Sequence, residues 1–198
     1  MIRFGKTTSE PRTNFIVNPT LTPALLKPDL LRLILSPLNK DAPDGSIRGC
    51  VGNFFMEVWL SPPLGFDYLN HKAVIYGDGR NPSSWVSYRD IAEMAVRAHE
   101  TDKARNRRFM AGGPEALSPL DVVKIFEQAS RRTFHLEHIA TDVLQMQFES
   151  AVDPLAKTFV GLQLAYARGA KMDIGDTLEV FPIQLTSVPD YARTAASA

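Results

Sequence analysis

The stretch Asn53–Asp90, NFFMEVWLSPPLGFDYLNHKAVIYGDGRNPSSWVSYRD, decides the fold class, because its residue pattern changes period several times in order. Asn53 is placed to cap a helix with its side-chain oxygen; Phe54, Phe55, Val58 and Trp59 then repeat at helical spacing until Pro62-Pro63 forbids continuation. From Lys72 the run Ala73-Val74-Ile75-Tyr76 is β-branched and aromatic, and Gly77-Asp78-Gly79 closes it with the freedom a tight turn needs. Trp85-Val86 reads as a second short strand. Ser87-Tyr88-Arg89-Asp90 is a capping pattern, and Ile91, Ala95 and Ala98 put an apolar stripe on the helix it opens.

Toward the C-terminus the signals continue. Phe109-Met110-Ala111 predicts a strand entering the Gly112-Gly113-Pro114 turn. Ser118 caps the next helix with Pro119 in its first position and Asp121 closing the box, and Val122, Val123 and Phe126 face inward. Phe134 and Leu136 mark a strand. Thr141 is the expected cap of a helix carrying Leu144, Phe148 and Ala151. Asp153-Pro154 starts another, with Leu155, Phe159, Leu162 and Tyr166 in line until Gly169 stops it, and Ser187-Val188-Pro189-Asp190 starts the last. Repeated, mutually consistent helix starts are the mark of a sequence selected for one fold.

Composition bounds the function. With 198 residues, 44% of them hydrophobic and 22% charged, the chain is long enough for one domain with a buried core. Its 22 basic and 22 acidic residues cancel, so it lacks the electrostatic footprint expected for nucleic acid or anionic membranes. One cysteine, Cys50, excludes an internal disulfide, and no 18-residue apolar run is present. A cytoplasmic protein is the expectation.

NFFMEVW, VIYGDG and SWVSYRDIAEMAV, followed by GGPEALSPLDVVKIFEQASRR at Gly112–Arg132, LAYARG at Leu164–Gly169 and FPIQLTSVPDYAR at Phe181–Arg193, together resemble the later half of the NmrA-like proteins. These form a branch of the atypical short-chain dehydrogenases that bind NAD(P) on a Rossmann fold. The resemblance runs from Asn53 to Arg193 and rests on the order of its segments. It implies an α/β, incomplete Rossmann-like fold that keeps a substrate-side lobe and lacks the N-terminal dinucleotide-binding βαβ units. It also implies that Asn53 and Phe54 lie beside the nicotinamide of NAD(P), with Phe55, Trp85 and Tyr166 lining a substrate pocket. The plainer reading of those aromatics is core packing.

Before residue 50 the resemblance stops. Pro11, Pro19, Pro23, Pro28, Pro37 and Pro43 interrupt a Leu-rich sequence, leaving Asp29–Leu35 as the only plausible helical turns. A buried strand, glycine-rich turn and helix, as a pyrophosphate site needs, are not legible there. Two segments follow: 1–50, irregular and outside the family fold, and 51–198, the later half of an NmrA-like domain.

Isolated motifs add no chemistry. Gly5-Lys6-Thr7 has only the tail of a phosphate-binding loop. Gly77-x-Gly79 has Pro82 at the third glycine position and a strand after it, so it reads as a connection between strands. Tyr68-x-x-x-Lys72 has the spacing of the short-chain dehydrogenase pair, but Asn70-His71 is turn chemistry, and no catalytic residue is assigned. His135 and His138 alternate to opposite faces of a strand and cannot share a metal. The expected function is an NmrA-like NAD(P)-binding oxidoreductase or redox sensor that is truncated and inactive alone. The alternative is a non-catalytic regulatory protein that self-associates or binds a partner through exposed apolar surface.

Overall fold

The computed structural model describes residues 48–52 and 54–196. The Asp29–Leu35 helix, the Gly5-Lys6-Thr7 motif and the Asn53 cap fall outside the described residues. Strand β1 (Arg48–Gly52) leads into a single helical turn, α1 (Met56–Trp59), then a 3-10 turn at Pro62–Leu64. Strands β2 (Phe66–Asp67), β3 (Lys72–Tyr76) and β4 (Ser83–Ser84) precede helix α2 (Tyr88–Glu100). After β5 (Arg107–Ala111) and β6 (Ala116–Leu117) come α3 (Pro119–Ser130), β7 (His135–Ile139), α4 (Thr141–Ser150), α5 (Pro154–Arg168), α6 (Gly175–Val180) and α7 (Val188–Ala196).

Strands pair in three small sheets. β1 runs parallel to β5 with Cys50 opposite Phe109. β3 runs parallel to β7, with β2 antiparallel on its other edge. β4 and β6 form a short antiparallel pair. The arrangement is α/β, as expected. β1 starts at Arg48, so ordered structure crosses the boundary drawn at residue 50, a strand that Arg48-Gly49-Cys50 does not announce by composition.

Two cores result. The larger packs α1, α3, α5 and α7 around β3, with Met56, Ile75, Trp85, Val122, Phe126, Leu144 and Val188 fully enclosed. The smaller covers the β1–β5 pair from α2 and α6, through Ala98, Ala104, Phe109 and Phe181. Phe109 and Phe181 meet edge to face with ring centroids 4.7 Å apart, the geometry that the ring quadrupole favours.

Local chemistry explains most element starts. At α3 the Ser118 Oγ accepts from the Asp121 amide (3.2 Å) while the Asp121 carboxylate accepts from the Ser118 amide, closing the box. Asp153 accepts from the Ala156 amide at 2.7 Å to start α5, and Gly169 ends that helix at φ 72°. Ser187 caps α7 through the Asp190 amide.

Several expectations are corrected. The helix after Asn53 is shorter than its apolar spacing suggests, because Phe54 sits at φ 42° and Phe55, not Asn53, occupies the cap position. The second strand is Ser83–Ser84, displaced from Trp85-Val86; β6 pairs with the former, while Val86 makes one bridge to Phe55. The buried side of α2 is Met94 and Ala98, with Ala95 exposed. Helix α4 is entered from Ala140, and Thr141 is its first residue with no side-chain cap. On α5 the residues turned inward are Val160, Leu164, Tyr166 and Ala167, whereas Leu155 and Leu162 are exposed. Helix α6, GDTLEV, is too short and too polar to declare itself by periodicity.

Candidate functional site

At the carboxyl ends of the parallel strands β1 and β5, three segments converge. The chain leaving β1 lies along Val86: the Val86 amide donates to the Phe54 carbonyl (3.3 Å) and the Met56 amide to the Val86 carbonyl (2.9 Å). On the other side, Trp85 approaches the turn that leaves β5 so closely that a Cβ on Gly113 would stand 1.9 Å from the Trp85 carbonyl oxygen. Only glycine fits there, because two backbones occupy the space of a side chain. The crevice beyond the carboxyl ends of parallel strands is where open α/β folds place ligands.

One side of this convergence is filled. Phe54, Trp85 and Tyr166 come together with Trp59 and Tyr76 in one aromatic cluster. Tyr166 stacks on Trp59 at 5.0 Å and meets Tyr76 and Trp85 edge-on at 5.4 and 5.9 Å; Phe54 lies 5.8 Å from Trp85. The Trp85 indole N–H donates to the Leu117 carbonyl at 2.8 Å, satisfying its one polar atom inside the core. Burial pushes the Tyr166 phenol up, with Tyr76 adding to the effect, so it holds its proton throughout the neutral range. The Tyr76 phenol is also raised by burial, against a hydrogen bond with Gln163 that lowers it. Phe55 is apart from this cluster, half-buried against Tyr88 with centroids at 5.0 Å.

The other side is open. A cleft of about 530 Å³ is lined by Ser84, Gly113–Ala116 and the chain from Lys171 to Leu185. Its wall is apolar, from Met172, Ile174, Leu178, Ile183 and Leu185, and its charged groups are Glu115, Lys171 and Asp173. Ser83 and Ser84 hold the far wall in place. Their hydroxyl oxygens accept from the Ala170 and Met172 amides at 3.2 and 3.0 Å, and Thr177 donates to the Met110 carbonyl at 2.6 Å. None of Phe54, Phe55, Trp85 and Tyr166 lines the cleft; Trp85 backs it through its carbonyl. Sequence reading missed these lining residues because the Lys171–Gly175 loop has no period and its hydroxyl partners lie 87 and 88 residues away.

A buried polar seam also escaped the sequence. Glu57 on α1 accepts from the Ser87 hydroxyl (2.6 Å) and the Tyr88 amide (3.1 Å), so it caps α2. Asp90, 2% exposed, accepts instead from the Thr186 amide and hydroxyl, both at 2.8 Å. The expected Ser87–Asp90 box is therefore open, and the Ser87 oxygen accepts from Arg89. Burial first, and then Glu57, pushes the Tyr88 phenol up to about 12.

The remaining motifs stay inert. Tyr68 is in the turn after β2, packed 6.0 Å from Phe126, and Lys72 begins β3 with its side chain exposed; no helix joins them. Gly77 and Gly79, at φ 76° and 71°, link β3 to β4. His135 and His138 are exposed on β7, the latter 3.2 Å from the Gly77 carbonyl. Among the described residues no cluster of metal-ligating side chains exists, and no helix is long and apolar enough to cross a membrane. The Cys50 thiol is half-buried, and burial pushes it up.

A dinucleotide needs a strand that turns through glycines into a helix N-terminus, whose amides hold the pyrophosphate. Among the described residues, β1 turns into α1 through Phe54 and Phe55, and β7 turns into α4 through Ala140 alone. These residues do not fit the phosphate end. Phe54, 3% exposed, presents no free ring face for a nicotinamide.

The α/β fold is similar to part of the Rossmann-like fold of solved structures such as isoflavone reductase, which it matches at 15% identity. The leucoanthocyanidin reductase–NADPH complex from Vitis vinifera superposes with a TM-score of 0.58 at 11% identity, over 77% of this chain and 55% of its own. Structures of pinoresinol-lariciresinol and phenylcoumaran benzylic ether reductases give 0.59 at 15% identity, over 74% and 51%. A nucleoside-diphosphate-sugar epimerase from Staphylococcus aureus gives 0.56 at 18%, over 73% and 50%. The chain spans about half the length of these structures. No family model matches it, nor does any curated protein.

Proposed function

We propose that this chain carries the substrate side of an NAD(P)-dependent oxidoreductase fold, receiving a small, largely apolar carbonyl or quinone, and that it does not hold the dinucleotide by itself. The observation that carries the reading is the cleft between Gly113 and the Lys171–Leu185 segment, at the carboxyl end of β5. Its apolar wall matches a flat hydrocarbon body, and among the described residues the Lys171 ammonium is the cation at the cleft for an electron-rich oxygen. Structural likeness to reductases and to an NADPH complex supports the class of chemistry. In this reading Trp85, packed on Phe54 and Tyr166, backs the site through its carbonyl beside Gly113, and Phe55 lies apart from it against Tyr88. With the Tyr166 phenol protonated across the neutral range, the described residues offer no phenolic base there.

The test uses 1,4-naphthoquinone, whose ring quenches nearby tryptophan. Titration should quench the emission of Trp85, and Leu178→Asp, which puts a charge on the apolar wall, should weaken the apparent affinity at least tenfold with the circular dichroism unchanged. Equal quenching by wild type and Leu178→Asp would place the quinone elsewhere. A second reading, a regulatory protein acting through contacts, is favoured by a different surface, the α4–α5 hairpin.

A further inference from the structure

Helices α4 and α5 form an antiparallel hairpin packed through Leu144, Val160 and Leu164, with Gly161 under the Phe148 ring. Its outer surface is unusually apolar. Val143 and Met146 on α4, Val152 in the connection, and Leu155 and Leu162 on α5 are all exposed, Met146 at 60% and Val152 at 95%. On α5 the exposed Leu155, Thr158, Leu162 and Ala165 follow i, i+3, i+7, i+10, the narrow seam by which one helix meets another. Five of the eight exposed large hydrophobic residues among the described residues belong to this hairpin, so the surface is a patch and not scattered side chains.

Charge selects what covers it. The charged side chains of α4 are Asp142 and Glu149, both acidic; those of α5 are Lys157 and Arg168, both basic. The nearby Asp153 carboxylate, which caps α5, adds a negative charge at the loop end of the hairpin, and the Lys157 ammonium lies 5.0 Å from the Phe148 ring centroid, between the two helices. An acidic helix beside a basic one is self-complementary under a two-fold axis: α4 of one copy falls on α5 of the other, and the match repeats on the far side of the axis. A partner uniformly acidic or basic would be repelled by one helix.

We infer that the α4–α5 face is a homodimer interface in which two hairpins pack as a four-helix arrangement, with the acidic helix of each copy against the basic helix of the other. Ten and fifteen residues make helices about 15 and 22 Å long, giving a face of roughly 400 Å². That is below the ~800 Å² per partner of a standard stable complex, so the dimer is weak and exchanges readily. This inference is independent of the cleft, and either can fail alone.

The experiment is sedimentation velocity on the full chain, from about 1 to 100 μM, which spans the Kd of a weak, exchanging dimer. Wild type should shift from monomer toward dimer. Two charge variants test the geometry: Asp142→Lys with Glu149→Lys makes both helices basic, and Lys157→Glu with Arg168→Glu makes both acidic. Each variant alone should remain monomeric at the highest concentration, and an equimolar mixture of the two should regain the dimer, because each helix then meets its opposite. Leu162→Asp should abolish it without altering the circular dichroism. A wild-type monomer throughout overturns the proposal, as does dimerisation of either charge variant alone or a mixture that stays monomeric. A dimer that survives Leu162→Asp places the interface elsewhere and overturns it equally.

Discussion

The two cores differ in what holds them. Around Trp85 and Tyr166, elements distant in sequence interlock: α1, β3, α3, α5 and α7 each contribute apolar side chains. Around Phe109 the core is four buried residues over a two-stranded parallel pair. Among the described residues this pair has no further strand beside it, and parallel strands depend on cover from helices. The smaller core thus takes its stability from α2 and α6, whereas the larger sustains itself. The aromatic core behind the cleft is therefore the better-packed one, and the smaller core, which carries the cleft's Gly113 turn and α6 wall, is the one more open to change.

The largest expected effect is in the large core. Trp85→Ala empties a fully buried site, removes the contacts with Phe54 and Tyr166 and orphans the Leu117 carbonyl, for a loss of about 3–5 kcal/mol. Urea unfolding, followed by circular dichroism, measures it. Phe109→Ala should cost less, about 3 kcal/mol, because its neighbours Ala98 and Ala104 are small and α6 can settle. Hydrogen exchange sharpens the contrast: amides of β1 and β5 should lose protection in Phe109→Ala while β3 and β7 keep theirs. Uniform loss across all four strands would show that the two cores unfold as one unit.

Caps give smaller effects. Asp90→Ala leaves the Thr186 amide and hydroxyl without their acceptor and should cost about 1–3 kcal/mol. Ser118→Ala, which opens a cap at a helix end, should cost about 1 kcal/mol. Reversal of that order would mean that the Asp90–Thr186 link is not what ties the C-terminal segment to α2.

The smallest effect is alkaline. The Tyr88 phenol is raised in the fold to about 12, so the folded state binds its proton more tightly than the unfolded state does. Its contribution is whole below pH 10, the ordinary tyrosine value, and is lost as pH rises through about 12. Glu57→Gln removes the second cause and should lower the Tyr88 midpoint in a spectrophotometric titration. An unmoved midpoint would assign the whole shift to burial.

What the sequence makes legible follows contact range. The Ser118 box, the Asp153 cap and the Gly169 stop involve partners within four residues of one another, and residue identity is enough to predict them. At Ser87 the same pattern misleads, because Asp90 finds a better partner 96 residues on and Glu57 supplies the cap from 30 residues before. The Leu155–Tyr166 stripe is real at helical spacing, yet Leu155 and Leu162 are exposed, Phe159 is half-buried and only Tyr166 is buried, and spacing carries no information about which helix face has a neighbour. For the site, family resemblance draws attention to Phe54, Trp85 and Tyr166, which do assemble. The cleft beside them is built from hydroxyl-to-amide bonds across 87 and 88 residues, beyond the reach of any local pattern.

The central claim is that a Rossmann-like lobe without a glycine-lined strand-to-helix turn among its described residues lacks an anchor for a dinucleotide. Titration of the full chain with NADPH by calorimetry, with Trp59 and Trp85 emission followed in parallel, tests it most directly. The account predicts no saturable binding below about millimolar concentration, since the described residues offer no glycine-lined helix N-terminus for the pyrophosphate. Saturable binding at micromolar NADPH, with a stoichiometry of one per chain, would contradict it.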